Sequence, residues 1–285
     1  MPLNAVNGVL AGFRAPMHLK RWITGLALLP ALIALIVVGK LPLALFVALV
    51  CGLALYEYLR IVSTGAHQAG RDFSVFLVLA SGPGIVLVAH LNSPGLVAGA
   101  VAVCLILAGI SNTLGYAAGR RVDVGRMARQ ILGIVYIALP LALVVLLRHG
   151  AAGAAWVFWL LFLVFVGDIG AFYAGAYFGR HALCPKVSPK KTIEGGLGGL
   201  AASILVGAVF KSLFLAELPW GRTMALMLLV GIVAPLGDLF ESMLKRIGGI
   251  KDSGGILPGH GGMLDRIDAL LFAIPVVYLF RVSFF

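Results

Sequence analysis

Apolar runs of 16 to 20 residues recur along the whole of this 285-residue chain. A run of that length as a helix crosses the roughly 30 Å hydrocarbon core of a bilayer. In lipid every backbone N–H and C=O must find its partner inside the protein, so repeated runs of this kind leave a helical bundle as the architecture. The ten-residue alternation of a membrane β-barrel is absent. We read nine spans, at roughly 22–39, 41–59, 73–91, 95–110, 131–148, 155–178, 196–216, 223–240 and 267–283. The expected fold is an all-α polytopic integral membrane protein with about nine transmembrane helices. Only 12% of the residues are charged, against about 25% in a soluble domain. The first run, from Trp22, ends in "VVGKLP" with no small-residue cleavage site, and reads as a retained anchor.

The formal net charge is +11. The lysines and arginines flank the apolar runs, so membrane topology and anionic headgroups account for them and no nucleic acid is expected. With a cytoplasmic N-terminus, 17 of the 22 basic residues fall in cytoplasmic segments and 5 outside: Lys40, Arg148, Lys211, Arg222 and Arg281. That bias sets the expected orientation, and nine spans put the termini on opposite sides. Cys51, Cys104 and Cys184 show neither disulfide nor metal spacing.

Carboxylates are scarce and unevenly placed. Residues 1–150 hold only Glu57, Asp72 and Asp123, whereas the other eight lie from Asp168 to Asp268. The chain therefore divides into an N-terminal transmembrane scaffold, 1–150, and a C-terminal catalytic region, 151–285. In "GDLFESMLKR", Asp238, Glu241, Ser242 and Lys245 are spaced i, i+3, i+4, i+7 and share a helix face. An ionised Asp at the bilayer centre costs about 2.5–3.5 kcal/mol and needs a cation, a metal or water. A structural ion pair with Lys245 or Arg246 is the plainer reading of Asp238.

The turn that follows, "IGGIKDSGGILPGHGG", has seven glycines in sixteen residues. Bare backbone N–H groups can line an anion-binding nest, although a flexible loop has the same composition. It lacks the Gly-Lys-Ser/Thr ending of a Walker A loop. Asp265 and Asp268 then stand i, i+3 at the start of the last run, where carboxylates also serve as helix caps. Three carboxylates converging from two helix ends would repel unless a cation sat among them, and hard oxygens with phosphates suit Mg²⁺. Upstream, "CPKVSPKKTIEGG" offers Ser188, Lys190, Lys191 and Thr192 as a phosphate clamp or as mere positive-inside charge. Asp168 in "FVGDIGAFYAGAYFG" is a ligand or a partner for a cation, and its neighbours Gly167, Gly170, Gly175 and Gly179 suit helix packing. His260, flanked by glycines, reads as a phosphate contact or loop residue.

The stretch Ser242–Asp268 resembles the signature of the phosphatidate cytidylyltransferases. Ser242, Lys245, Arg246, Lys251, Asp252, Pro258, His260, Gly261, Gly262, Asp265, Arg266 and Asp268 meet its twelve fixed positions over 27 residues. "SPKKTIEGG" and "GDLFES" resemble two further elements of that family, and in the first 150 residues Glu57 in "YEYLR" is a weak match. The chain departs from the family in "DIGAF", where Ile169 and Phe172 replace a hydroxyl residue and a tyrosine, and at Ala176, where a basic residue is common.

The resemblance implies that phosphatidic acid attacks the α-phosphate of CTP, giving CDP-diacylglycerol and pyrophosphate at the cytoplasmic face of an inner membrane. It implies Mg²⁺ held by Asp238 and Asp265, with K⁺ as a possible second cation. Asp268 and Asp252 would support the metal. Lys190, Lys191, Lys245, Arg246, Lys251 and Arg266 would neutralise phosphates, and Ser188, Thr192, Ser242, His260 and Asp168 would contact substrate. It also implies a homodimer, with lipid tails entering from the bilayer. A CDP-alcohol phosphotransferase is excluded by the missing Asp-x-x-Asp-Gly pattern, and the intact signature argues against a CTP-dependent polyprenol kinase. A secondary transporter would predict internal repeats, and none is found.

Overall fold

The computed structural model describes residues 29–63, 73–119, 122, 124–250, 253–254 and 261–285. Among them are nine helices: α1 (Leu29–Val38), α2 (Lys40–Ser63), α3 (Phe73–Ala89), α4 (Pro94–Ala117), α5 (Val124–His149), α6 (Gly153–Phe178), α7 (Ile193–Phe214), α8 (Trp220–Ile247) and α9 (Leu264–Phe284). Each expected span coincides with one of them. Seven are long and apolar enough to cross a membrane; the described part of α1 and the apolar part of α3 are shorter. The start of the first span, 22–28, lies outside the described residues.

The helices run further than the apolar runs do. The helix α4 continues to Ala117 because Asn112, buried, donates to Ala108 O at 2.8 Å and to Gln130 Oε1 at 3.0 Å. At its start α5 carries Arg126, Arg129 and Gln130, and it includes a π-helical turn at Ile134–Ala138 just before Pro140. Proline lacks the N–H that the regular ladder needs there, and a widened turn absorbs the mismatch.

Among the described residues a departure from helix occurs between α6 and α7. Strands β1 (Ala182–Cys184) and β2 (Ser188–Thr192) pair antiparallel as a small hairpin. The Glu194 carboxylate holds its base, accepting from the backbone N–H of Arg180 at 3.1 Å and of His181 at 3.2 Å, with His181 Nδ1 at 2.6 Å.

Two close helix pairs position everything that follows. On the α6–α7 seam the backbones nearly touch: a Cβ on Gly198 would lie 2.1 Å from Ala174 Cβ, and one on Gly170 would lie 2.4 Å from Ala202 Cβ. Small residues give such packing in membranes, as expected for Gly167 and Gly170. The α8–α9 pair closes in the same way, since a Cβ on Gly237 would lie 2.5 Å from Asp268 O.

At the far ends of α5 and α9 the arginines act as caps. Arg148 Nη2 donates to Val37 O at 2.7 Å, and Arg281 donates to Leu147 O and Ala151 O. Orphan carbonyls of helix C-termini take up these cations. Asp265 and Arg281 stand at opposite ends of α9, about 24 Å apart at 1.5 Å per residue.

Gly198→Leu should prise α6 from α7 and cost about 1–3 kcal/mol, read as a lower melting temperature of the purified protein in detergent. Gly196→Ala, on the same helix with nothing within 4 Å of the new Cβ, should leave it unchanged. Equal effects of the two would refute the close seam.

Candidate active site

The α8 face behaves as its spacing predicts. Ser242 Oγ donates to Asp238 Oδ1 at 3.3 Å, and Lys245 Nζ lies 2.5 Å from Glu241 Oε2. Lys245 then crosses to α9, where its Nζ lies 2.7 Å from Asp265 Oδ1. The second oxygen of Asp265 accepts from Gly262 N at 3.0 Å. Asp238 Oδ2 forms an ion pair with Lys191, delivered by β2. Hairpin and helix are tied once more by Arg246, whose Nε donates to Val187 O at 3.3 Å.

Accessibility grades across this cluster. Glu241 is fully buried and Asp268 is 9% exposed, while Asp168 is exposed rather than buried. Asp268 lies within electrostatic reach of Asp238, Lys245 and Lys191, and Asp168 within reach of Asp238 and Lys191. Asp268 Oδ1 also accepts from Ala269 N at 2.7 Å. Tyr136, in the π-helical turn of α5, feels Asp268, Glu241 and Asp238 and packs edge-on against Phe240 at 4.9 Å.

The structure thus gathers Asp168, Lys191, Asp238, Ser242, Lys245, Asp265 and Asp268 at one end of the bundle. Ser188 and Lys190 stand on β2, with Lys190 exposed, and Arg266 is exposed on the first turn of α9. Thr192 has a structural task as well: its Oγ1 caps α7 by accepting from Gly195 N at 3.1 Å. Lys251, Asp252 and His260 lie outside the described residues.

Two residues of the cluster were not among the site residues drawn from the sequence. Glu241 shows its signal in the i, i+4 spacing to Lys245. Glu57, on α2, accepts from Ser253 Oγ and Leu264 N. Its signals were a weak family match in "YEYLR" and being a carboxylate inside an apolar run, where one is costly.

The donor set is suited to a hard cation. Asp238 and Asp265 offer oxygen only and are paired with Lys191 and Lys245, while Asp268 and Asp168 lie within electrostatic reach of Asp238. Among the described residues no three His, Cys, Asp or Glu side chains stand close enough to hold a metal by themselves. Mg²⁺ at nucleotide sites takes one or two carboxylates and completes its shell with phosphates and water, so the carboxylates present fit it.

A family model described as "Cytidylyltransferase family" matches residues 19–284, nearly the whole chain. The chain belongs to the cytidylyltransferase family. Over 116 residues, 40% of this chain, it is 53% identical to a phosphatidate cytidylyltransferase of Synechocystis. Over 117 residues it is 40% identical to one of Bacillus subtilis and 47% identical to one of Brucella suis. These matches span 39%, 44% and 43% of the relatives' own lengths.

The Glu241–Lys245–Asp265 triad is a buried ionic unit in this family member, with the Lys245 side chain 14% exposed. Removing Lys245 strands two carboxylates, at about 3–5 kcal/mol. Lys245→Met should therefore lower the melting temperature strongly, and adding Glu241→Gln should recover much of the loss. Lys245→Met as stable as the parent would contradict the triad.

Proposed function

We propose that the chain is a CTP:phosphatidate cytidylyltransferase, a nucleotidyltransferase of phospholipid synthesis. The observation that carries this reading is the pairing of Lys191 with Asp238 and of Lys245 with Asp265 at one mouth of the helix bundle, in a chain of this family. Such a mouth offers cations to phosphates and carboxylates to a metal, beside lipid from which a diacyl substrate can enter.

In the reaction, a phosphate oxygen of phosphatidate forms a bond to the α-phosphorus of CTP. The α–β phosphoanhydride bond breaks, and pyrophosphate leaves with the electron pair. No hydroxyl need be deprotonated, so the protein's work is alignment and charge neutralisation. Lys191 and Lys245 exchange carboxylate partners for phosphate oxygens. Lys190, Arg246 and Arg266, with Lys251, neutralise the rest of the triphosphate and the lipid phosphate. Ser188, Ser242, Thr192 and His260 donate to phosphate or ribose oxygens, Asp168 contacts substrate, and Asp252 supports the metal. Asp238 and Asp265, supported by Asp268, would hold Mg²⁺, which when bound supplies positive charge shared between the phosphates; K⁺ is a candidate second cation.

The excess of cations in the segments that flank this mouth supports a cytoplasmic site in an inner membrane, with nine crossings. Residues 1–150 serve as scaffold and 151–285 carry the chemistry. Bilayer lipids surround the bundle, and the resemblance supports a homodimer.

Detergent-solubilised protein given labelled CTP, phosphatidate and Mg²⁺ should form CDP-diacylglycerol and pyrophosphate. Chelating the metal should abolish the product, and restoring Mg²⁺ should return it. Asp265→Asn should cut turnover by about 10²–10³-fold, the scale for losing one preorganised charge contact. No product from the parent protein, or near-parental turnover in Asp265→Asn, would refute the reading.

A further inference from the structure

Among the described residues Glu57 is the only carboxylate before Asp168, and the site above assigns it no task. It is fully buried on α2. Burying a carboxylate in an apolar bundle is costly unless hydrogen bonds compensate. Both donors come from about two hundred residues away: Ser253 Oγ at 3.2 Å and Leu264 N at 2.8 Å, each to Oε2. Leu264 opens α9, and the preceding Met263 makes no side-chain capping bond. The orphan N–H of that helix end is thus satisfied in trans, by a negative charge where the helix dipole favours one.

The glycines around the carboxylate show how tightly it is enclosed. A Cβ on Gly254 would lie 2.4 Å from Glu57 Oε1. One on Gly262 would lie 2.6 Å from Glu57 Oε2 and 1.9 Å from Ser253 Oγ. Gly262 is also the residue whose N–H holds Asp265 Oδ2. Glu57 and Asp265 therefore grip two N–H groups of one turn, two residues apart. The base of Glu57 is itself fixed, since the adjacent Tyr58 donates from its hydroxyl to Arg129 O at 2.9 Å.

We propose that Glu57 is the positioning residue of this site: its carboxylate, carried by α2, locks the first turn of α9 and thereby the aim of Asp265. Residues 1–150 then supply the alignment of Asp265, the carboxylate proposed to hold the metal, as well as surrounding helices. The rate effect rests on the transferase reading; the locking does not.

The test uses the full chain in detergent with Glu57→Ala, Glu57→Gln and Glu57→Asp. Deuterium exchange of peptides covering 261–268 should quicken at least about tenfold in Glu57→Ala, as a local opening would, and return towards the parent in Glu57→Gln, whose amide oxygen still accepts. In the same proteins kcat should fall about 100-fold in Glu57→Ala, the scale for misplacing a reacting group by 1 Å. KM for CTP should stay within about threefold, and Glu57→Gln should restore a substantial part of kcat.

Parental exchange in Glu57→Ala would overturn the proposal. So would parental kcat, or a Glu57→Gln as inactive as Glu57→Ala with both losing thermal stability. If Glu57→Ala does not fold, Glu57→Asp decides, since its shorter arm keeps the charge but loses reach to Leu264 N: faster exchange with lower kcat supports the proposal, and parental values of both overturn it. If the parent protein makes no CDP-diacylglycerol, the transferase reading falls and the exchange measurement alone decides on Glu57.

Discussion

Charge neutralisation at one end of the α8–α9 pair is the constraint on which the rest of the structure depends. Each carboxylate placed in a spanning helix costs a few kcal/mol unless it is matched. The chain matches Asp238 with Lys191 and the Glu241–Asp265 pair with Lys245. To make these matches α8 and α9 must approach backbone to backbone, which the bare Gly237 allows. The hairpin must reach over α8, which the Arg246–Val187 bond secures. The close α6–α7 seam in turn holds that hairpin between two fixed helix ends.

The same arrangement combines sealed and accessible ionic groups in one cluster. Glu241 is sealed and serves stability, while Asp238 and Lys191 are partly open. A buried pair resists substitution because breaking it strands a charge, whereas an accessible one can trade partners at little cost. Graded burial therefore leaves the Asp238–Lys191 pair freest to trade partners, as the proposed transfer requires, while Lys245 keeps its sealed partner Glu241 when it turns from Asp265.

Much of this was legible in the sequence because the bilayer imposes a length on helices. Helix ends were less so. Hydropathy stops at the first polar residue, but α4 continues past Asn112 and α8 past Glu241 and Lys245, since each finds a partner inside the bundle. The hairpin escaped notice because five-residue β2 carries lysines and a proline instead of an apolar alternation. The i, i+3, i+4, i+7 face of α8 was readable because its partners are local. The reach of Glu57 to Leu264 was not, because that contact joins residues 207 positions apart and exists only once the helices have packed.

The most direct measurement is a structure of the protein with CTP and Mn²⁺ in place of Mg²⁺, the ion located by its anomalous scattering. The account predicts Mn²⁺ against Asp238 and Asp265, with the Lys191 and Lys245 ammonium groups turned onto phosphate oxygens. Nucleotide bound elsewhere, with both lysine–carboxylate pairs intact, would contradict it.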